Sequence, residues 1–192
     1  DVCSSDLPNS DLETLKEYIR QFDVNGIICI EFFTRRSADK ILSLGIPTVF
    51  MDHFYGDEDL NGEYDIVLPD NVNAVRSACK KLIAAGADDF SFIGNPRNCK
   101  SFYERFLGMR EALYEEGLPY SPELSLTRDN SFPYGSAEAL AEALSRFVRL
   151  PDCFVCANDF IALSVIDALK QMKKLHLDKI NVLGFDNIPE SR

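Results

Sequence analysis

The chain has 192 residues, enough to bury roughly 70% of its unfolded surface in one core or two compact lobes, so no disulfide is required for stability. Hydrophobic residues make up 46% and charged residues 27%, and no apolar run approaches the ~20 residues that cross a bilayer, which excludes a membrane setting. A formal charge of -11 with a pI near 4.6 gives a surface that repels phosphate, so this segment is not expected to contact DNA by itself.

Ser10-Asp11-Leu12-Glu13 has capping-box spacing, and Leu12, Leu15, Ile19 and Phe22 then share one face, which predicts a helix from about Asp11 to Phe22. Gly26 precedes the apolar run Ile27-Ile28-Cys29-Ile30, a strand. A short helix follows through Ile41 and Leu44 and stops at Gly45. Ile46-Pro47 leads into a strand ending at Asp52, His53 to Glu63 is polar enough to be an exposed loop, and Tyr64 to Leu68 is extended again. Val72, Val75, Cys79, Leu82 and Ile83 mark one face of a helix that ends near Gly86, ahead of a strand at Phe90 to Ile93. Phe102, Phe106, Met109 and Leu113 stripe the next helix, which ends at Gly117 before a turn at Pro119 and Pro122. Ala137, Leu140, Leu144 and Phe147 define another helix, Cys153 opens a strand, Ile161, Val165, Leu169 and Met172 stripe the last helix, and Ile180 to Phe185 is the last strand. This alternation predicts an α/β protein built from right-handed βαβ units, with a mostly parallel sheet covered on both faces.

Four of the strands run into polar clusters: Asp52, Asn95, Asn158-Asp159 and Asp186-Asn187. In an open α/β sheet those carboxyl ends are where ligands bind, so the chain is expected to hold a small polar molecule. The sequence has no Gly-x-Gly-x-x-Gly, no phosphate loop and no Gly-x-Ser-x-Gly elbow, and its two histidines lack an evident catalytic setting. His176 lies in a solvated helix end and His53 in the exposed loop, so neither enzymatic activity nor a catalytic residue is expected. Cys153-Phe154-Val155-Cys156 spells Cys-x-x-Cys inside an extended run with no second ligand pair, so no metal site and no cofactor are expected either. Most of the six cysteines read as small buried hydrophobes, a pattern suited to a reducing cytoplasm.

Val24-Asn25-Gly26-Ile27-Ile28, Gly45-Ile46-Pro47-Thr48-Val49, Leu68-Pro69-Asp70-Asn71, Phe102 to Leu113 with Arg105 and Gly108, Ala157-Asn158-Asp159 with Ala162, and Val182 to Asn187 occur in this order along the chain. The series resembles the effector-binding domain of the LacI/GalR family of bacterial transcription regulators. That resemblance implies two doubly wound parallel-sheet lobes of the periplasmic-binding-protein-like type, joined by crossovers and holding an effector in the cleft between them. The first crossover is expected near Val67-Leu68, giving an N-terminal lobe over 1–67 and a C-terminal lobe over 68–192. Compared with the family pattern, the helix-turn-helix, the hinge helix, the first strand and helix, and the return crossover lie outside the sequence, so the N-terminal lobe is expected to be incomplete.

The same resemblance implies roles at named positions. Arg105 matches the arginine that holds the effector, its guanidinium offering a planar fork of donors, with a surface pair to Glu104 or Glu111 as the alternative. Ser101 matches a hydroxyl contact or serves as a helix cap. Asn158 and Asp186 match polar ligands from two further strand ends, the alternatives being a helix cap and an Asx turn. Asp52 matches another cleft position or merely begins the acidic loop. Asn130 stands near where many members carry an aromatic residue, with Phe132 close by, and Gly86-Ala87-Asp88-Asp89 replaces the usual Gly-His-Lys/Arg stretch. The implied function is the effector-sensing domain of a cytoplasmic, homodimeric regulator that binds a small molecule, a sugar in preference to a purine. Effector binding is expected to shift the two lobes and so change DNA binding, which belongs to the missing helix-turn-helix alone. The rival readings are a solute-binding protein that delivers a sugar to a transporter and, more remotely, an enzyme of the doubly wound class.

Overall fold

Among the described residues, short apolar runs separated by amphipathic helices give two parallel sheets of three strands each. The structure, a computed structural model, describes residues 9–30, 34–56, 60, 62–172 and 179–191. It divides into two compact units, one of residues 1–69 with Asn98–Ser101 and one of residues 70–97 with 102–192.

The first unit contains α1 (Asn9–Phe22), β1 (Ile27–Ile30), α2 (Arg35–Leu42), β2 (Thr48–Met51) and β3 (Tyr64–Val67), with the strands side by side in chain order. Cys29 pairs with Phe50 and Phe50 with Ile66. Because side chains alternate across a strand, Cys29 and Phe50 fall on the face that Ala38, Ile41 and Leu42 of α2 cover. Thr34 starts α2 by accepting the Ser37 N–H at 3.3 Å. Several boundaries differ from the sequence reading by a residue or two, β2 ending at Met51, β3 at Val67 and the last strand at Leu183 among them. Helix α1 extends back to Asn9, which puts Ser10 inside the helix instead of at its cap, and α2 stops at Leu42 with Ser43 as its C-cap. The opposite sheet face is not covered as expected. Among the described residues Ile28, Ile30, Met51 and Val67 are exposed on it, because α2 reaches only the alternate positions.

The second unit contains α3 (Asn71–Ala84), β4 (Phe90–Ile93), most of α4 (Lys100–Glu115), α5 (Ala137–Ser145), β5 (Cys153–Cys156), α6 (Asp159–Gln171) and β6 (Asn181–Leu183). The sheet order is β4-β5-β6, and Leu126 makes a parallel bridge to Ile93, so it lies on the β4 edge opposite β5. Leu126 N donates to Phe92 O at 2.9 Å and Gly94 N to Leu126 O at 3.0 Å. The chain therefore leaves β4 in one direction and returns to β5 on its other side, which places a topological switch point at the carboxyl end of β4. Right-handed crossovers then put α4 on one face of the sheet and α5 and α6 on the other. Consistent with this, α5 packs on α6, while Arg76 and Lys80 of α3 pair with Glu115 of α4 at 3.1 and 2.9 Å. Every residue of β4 and β5 is buried, as a strand covered on both faces requires. Gly108 sits where α4 meets α3, and a β-carbon there would lie 2.5 Å from Val72 O.

Cys29, Cys79, Cys153 and Cys156 are buried free thiols. Burial pushes Cys29 up to about 11, Cys79 up to about 12, and Cys153 and Cys156 well above the ordinary thiol range, so they pack as apolar groups at neutral pH. Among the described residues no helix is long and apolar enough to cross a membrane, and no cluster of His, Cys, Asp and Glu is arranged to hold a metal ion. His176 lies outside the described residues, as does Cys3.

Candidate functional site

Asn71 opens α3 and Arg105 lies in the second turn of α4, and both residues are almost fully withdrawn from solvent, at 1% and 6% exposure. A guanidinium removed from water must have its donors satisfied, and each direction here is filled from a different element. Arg105 Nε donates to Asn71 Oδ1 at 2.9 Å and Nη1 to the carbonyl of Ala157, just past β5, at 2.7 Å. Nη2 stands 3.3 Å from Asp186 Oδ1, and the guanidinium carbon lies 3.8 Å from the centre of the Phe185 ring. Asn71 in turn donates to Glu104 Oε2 at 2.9 Å. The surface pair of Arg105 with Glu104 or Glu111 is thus overturned. Glu104 is taken by Asn71, and Glu111 lies 4.0 Å from Arg76 Nη1.

Asp186 differs from its partner in being 39% exposed at the side chain. It and Asn187 both hold positive φ, at 100° and 54°, a conformation that short polar side chains tolerate better than other non-glycine residues. The turn after β6 therefore points a solvent-reaching carboxylate at a buried cation. Asn158 caps α6, its Oδ1 accepting the Ile161 N–H at 3.0 Å. That contact uses one oxygen and leaves the two-donor amine available for other work. Arg105 and Asp186 are brought together, and Asn158 follows the carbonyl that Arg105 holds. Asp186 also lines a cavity of about 350 Å³, with Asp159, Ala162, Phe185, Asn187 and Ser191 among its walls, whereas Arg105 and Asn158 do not line it.

In the first unit Asp52 and Ser101 meet. Asp52 follows β2 at φ 70°, and its Oδ1 accepts the N–H groups of His53 at 2.7 Å and Ser101 at 3.2 Å. His53 O accepts the Lys100 N–H at 2.8 Å, so the end of β2 satisfies the first donors of α4. Asp52 therefore serves as a cap as well as a strand-end acid, and Ser101 is 2% exposed.

The expected exposed loop from His53 to Glu63 is corrected at its start and at Leu60, since His53, Phe54 and Leu60 are each 6% exposed. The His53 ring packs 4.0 Å from Phe54 and meets Phe50 edge-on. Its Nδ1 is 3.0 Å from Phe54 O, which can only accept, so Nδ1 carries the proton and Nε2 is a buried acceptor with no partner. Burial is the largest cause lowering the His53 pKa below its ordinary 6.5; Lys100 adds to it, and the Phe54 carbonyl and Asp52 oppose it. The unfolded chain then binds this proton at a higher pH than the folded one, and stability falls as pH drops below about 6.5 until the folded-state pKa is passed. Melting temperatures measured at pH 7.5 and 5.5 are expected to fall more in the native chain than in His53→Asn, which keeps a donor for Phe54 O but has no group to titrate. Equal falls in the two proteins would remove His53 as the cause.

Near the switch point Asn130 accepts from Asn95 Nδ2 at 2.7 Å, and Phe132 packs edge-on against Tyr134 with Arg128 over its ring. An amide pair thus occupies the place considered for an aromatic surface. The sequence reading missed Asn71, the Ala157 carbonyl and Phe185 as partners of Arg105. The Asp70-Asn71 helix start was the one available signal for the first, while a carbonyl carries no side-chain signature.

Comparison with known proteins places this geometry. The family described as periplasmic binding protein-like domain matches residues 79–192. The HTH-type transcriptional regulator RegA of Clostridium saccharobutylicum is 28% identical over 97% of the chain and 55% of its own length. The HTH-type transcriptional repressor PurR of Actinobacillus pleuropneumoniae is 29% identical over 88% of the chain and 49% of its own. Among solved structures, a complex of the transcriptional regulator CelR with cellobiose superposes with a TM-score of 0.74 at 25% identity, covering 94% of this chain and 54% of that one. The chain spans about half the length of the curated relatives it matches. With more than half of its residues in the family match and its described strands all parallel, the chain belongs to the periplasmic binding protein-like domain family.

Proposed function

We propose that this chain is the effector-sensing part of a bacterial LacI/GalR-type transcription regulator, and that its effector is a sugar. The observation that carries the reading is the Arg105–Asp186 pair, a buried fork of donors beside a carboxylate that reaches solvent, at the carboxyl ends of parallel strands. Ring hydroxyls both donate and accept, so one sugar can bridge such a pair, with the Asn158 amide as a third contact and the Phe185 ring as an apolar wall. In the first unit Asp52 and Ser101 are proposed as ligand contacts. The solved complex of the similar regulator CelR with cellobiose supports a sugar over a purine. The repressor name of the PurR relatives supports regulation over transport, as do the buried free thiols, which suit a reducing cytoplasm. In this reading the chain turns nothing over, pairs as a homodimer, and reaches DNA only through a helix-turn-helix elsewhere in the regulator, whose DNA affinity the sugar alters by preferring one conformation over another.

Calorimetric titration with a panel of mono- and disaccharides, cellobiose included, and with purine bases tests the assignment. One or more sugars are expected to bind in the micromolar to millimolar range while the purines do not. Purine binding without sugar binding would overturn the choice of ligand, and turnover of a bound sugar would overturn the regulator reading.

A further inference from the structure

Asp159 follows the proposed ligand residue Asn158, yet its side chain is 4% exposed and makes contacts of another kind. Its Oδ2 accepts the Ile188 N–H at 2.9 Å, and its own N–H donates to Phe185 O at 2.9 Å. These two bonds hold the segment that bears Phe185, Asp186 and Asn187 from both ends. The segment needs holding, since Asp186 and Asn187 both have positive φ and would relax to commoner backbone conformations if untied. Gly184 shows how closely the carboxylate is seated, because a β-carbon there would lie 2.1 Å from Asp159 Oδ1. The tie acts on the residues that face Arg105, where the Asp186 carboxylate stands at 3.3 Å and the Phe185 ring at 3.8 Å.

We infer that Asp159 is a positioning residue for the ligand site: by clamping the 185–188 turn it sets the Asp186 carboxylate and the Phe185 ring against Arg105, and so fixes the spacing that a bound sugar reads. This rests on the proposed sugar-binding function. A carboxylate accepting a backbone N–H makes a stronger bond than a neutral acceptor, and its burial beside Gly184 leaves the turn one seating. The role differs from capping, which Asn158 already performs for α6 through Ile161.

The test uses Asp159→Asn, which keeps an acceptor of the same shape, and Asp159→Ser, which is too short to reach Ile188 but suits a helix start. Two readouts are taken on folded protein: the NMR signals of the Arg105 Nη protons, and affinity for whichever panel sugar binds the native chain. Asp159→Ser is expected to merge the Arg105 Nη signals, as the guanidinium gains rotation, and to weaken sugar binding by about tenfold or more, the size of one charge-assisted hydrogen bond. Asp159→Asn, which keeps a neutral acceptor for the Ile188 N–H, is expected to restore part of both. Unchanged Arg105 signals and affinity in a folded Asp159→Ser protein would overturn the positioning role. Merged signals in a chain whose native form binds no sugar would support the clamp and count against the sugar reading, so the two failures are distinguishable.

Discussion

Replacing Arg105 by Ala is expected to lower stability by about 3 kcal/mol and to weaken sugar binding by roughly thirtyfold or more. The stability loss comes from what the side chain leaves behind. The Ala157 carbonyl and Asn71 Oδ1 each lose a charged donor, and a space opens against the Phe185 ring. Asp186 contributes little to that loss, because its carboxylate is 39% exposed and water takes over. Asp186→Asn therefore separates the two effects: binding is expected to fall by about tenfold while stability changes by under about 1 kcal/mol. Arg105→Lys retains the charge and loses the fork, and since an ammonium cannot meet Asn71, Ala157 and Asp186 in one plane, its binding is expected to resemble that of the Ala variant. Urea denaturation and calorimetry on the three variants read both quantities. Native sugar affinity in Arg105→Ala would remove the side chain from the site.

Gly108→Ala is expected to lower stability by about 2 kcal/mol and the melting temperature by about 5 °C. The added methyl carbon would stand 2.5 Å from Val72 O and 3.2 Å from Arg76 N, both backbone atoms of α3 that no rotamer change can move. The helices must separate, at about 3 kcal/mol, offset by roughly 1 kcal/mol from the higher helix propensity of alanine. The shift also reaches the ligand site, because Arg105 lies on the same helix and its Nε bond to Asn71 spans the same α3–α4 boundary. Sugar affinity is therefore expected to fall with stability. A Gly108→Ala protein with native melting temperature would show that the two helices have slack at this contact.

The fold was largely readable in the sequence because its signals are periodic. Phe90 to Ile93 and Cys153 to Cys156 are short apolar runs between striped helices, and both are buried strands. Legibility failed where one or two side chains outweigh local composition. His53 and Phe54 start a stretch rich in Asp, Glu and Gly, and the loop reading followed that composition, yet both side chains are buried. The uncovered face of the first sheet was equally hidden, since Ile28 and Val67 look like any other strand residue until one sees which helix faces which side. At the candidate site, the strand-end polar clusters pointed to Asn158 and Asp186 and the family resemblance to Arg105, but neither told how the three are used. That Arg105 is buried with Asp186 and not on the surface with Glu111, and that Asn158 is a cap, depends on long-range packing.

Effector sensing by this chain requires the Arg105–Asp186 pair to be the place where a ligand binds. A crystal structure of the chain grown with the sugar that binds it in titration tests this most directly. Sugar hydroxyls within hydrogen-bond distance of Arg105 and Asp186 are the expected result. Ordered sugar elsewhere, with the 3.3 Å pair untouched, would contradict the account.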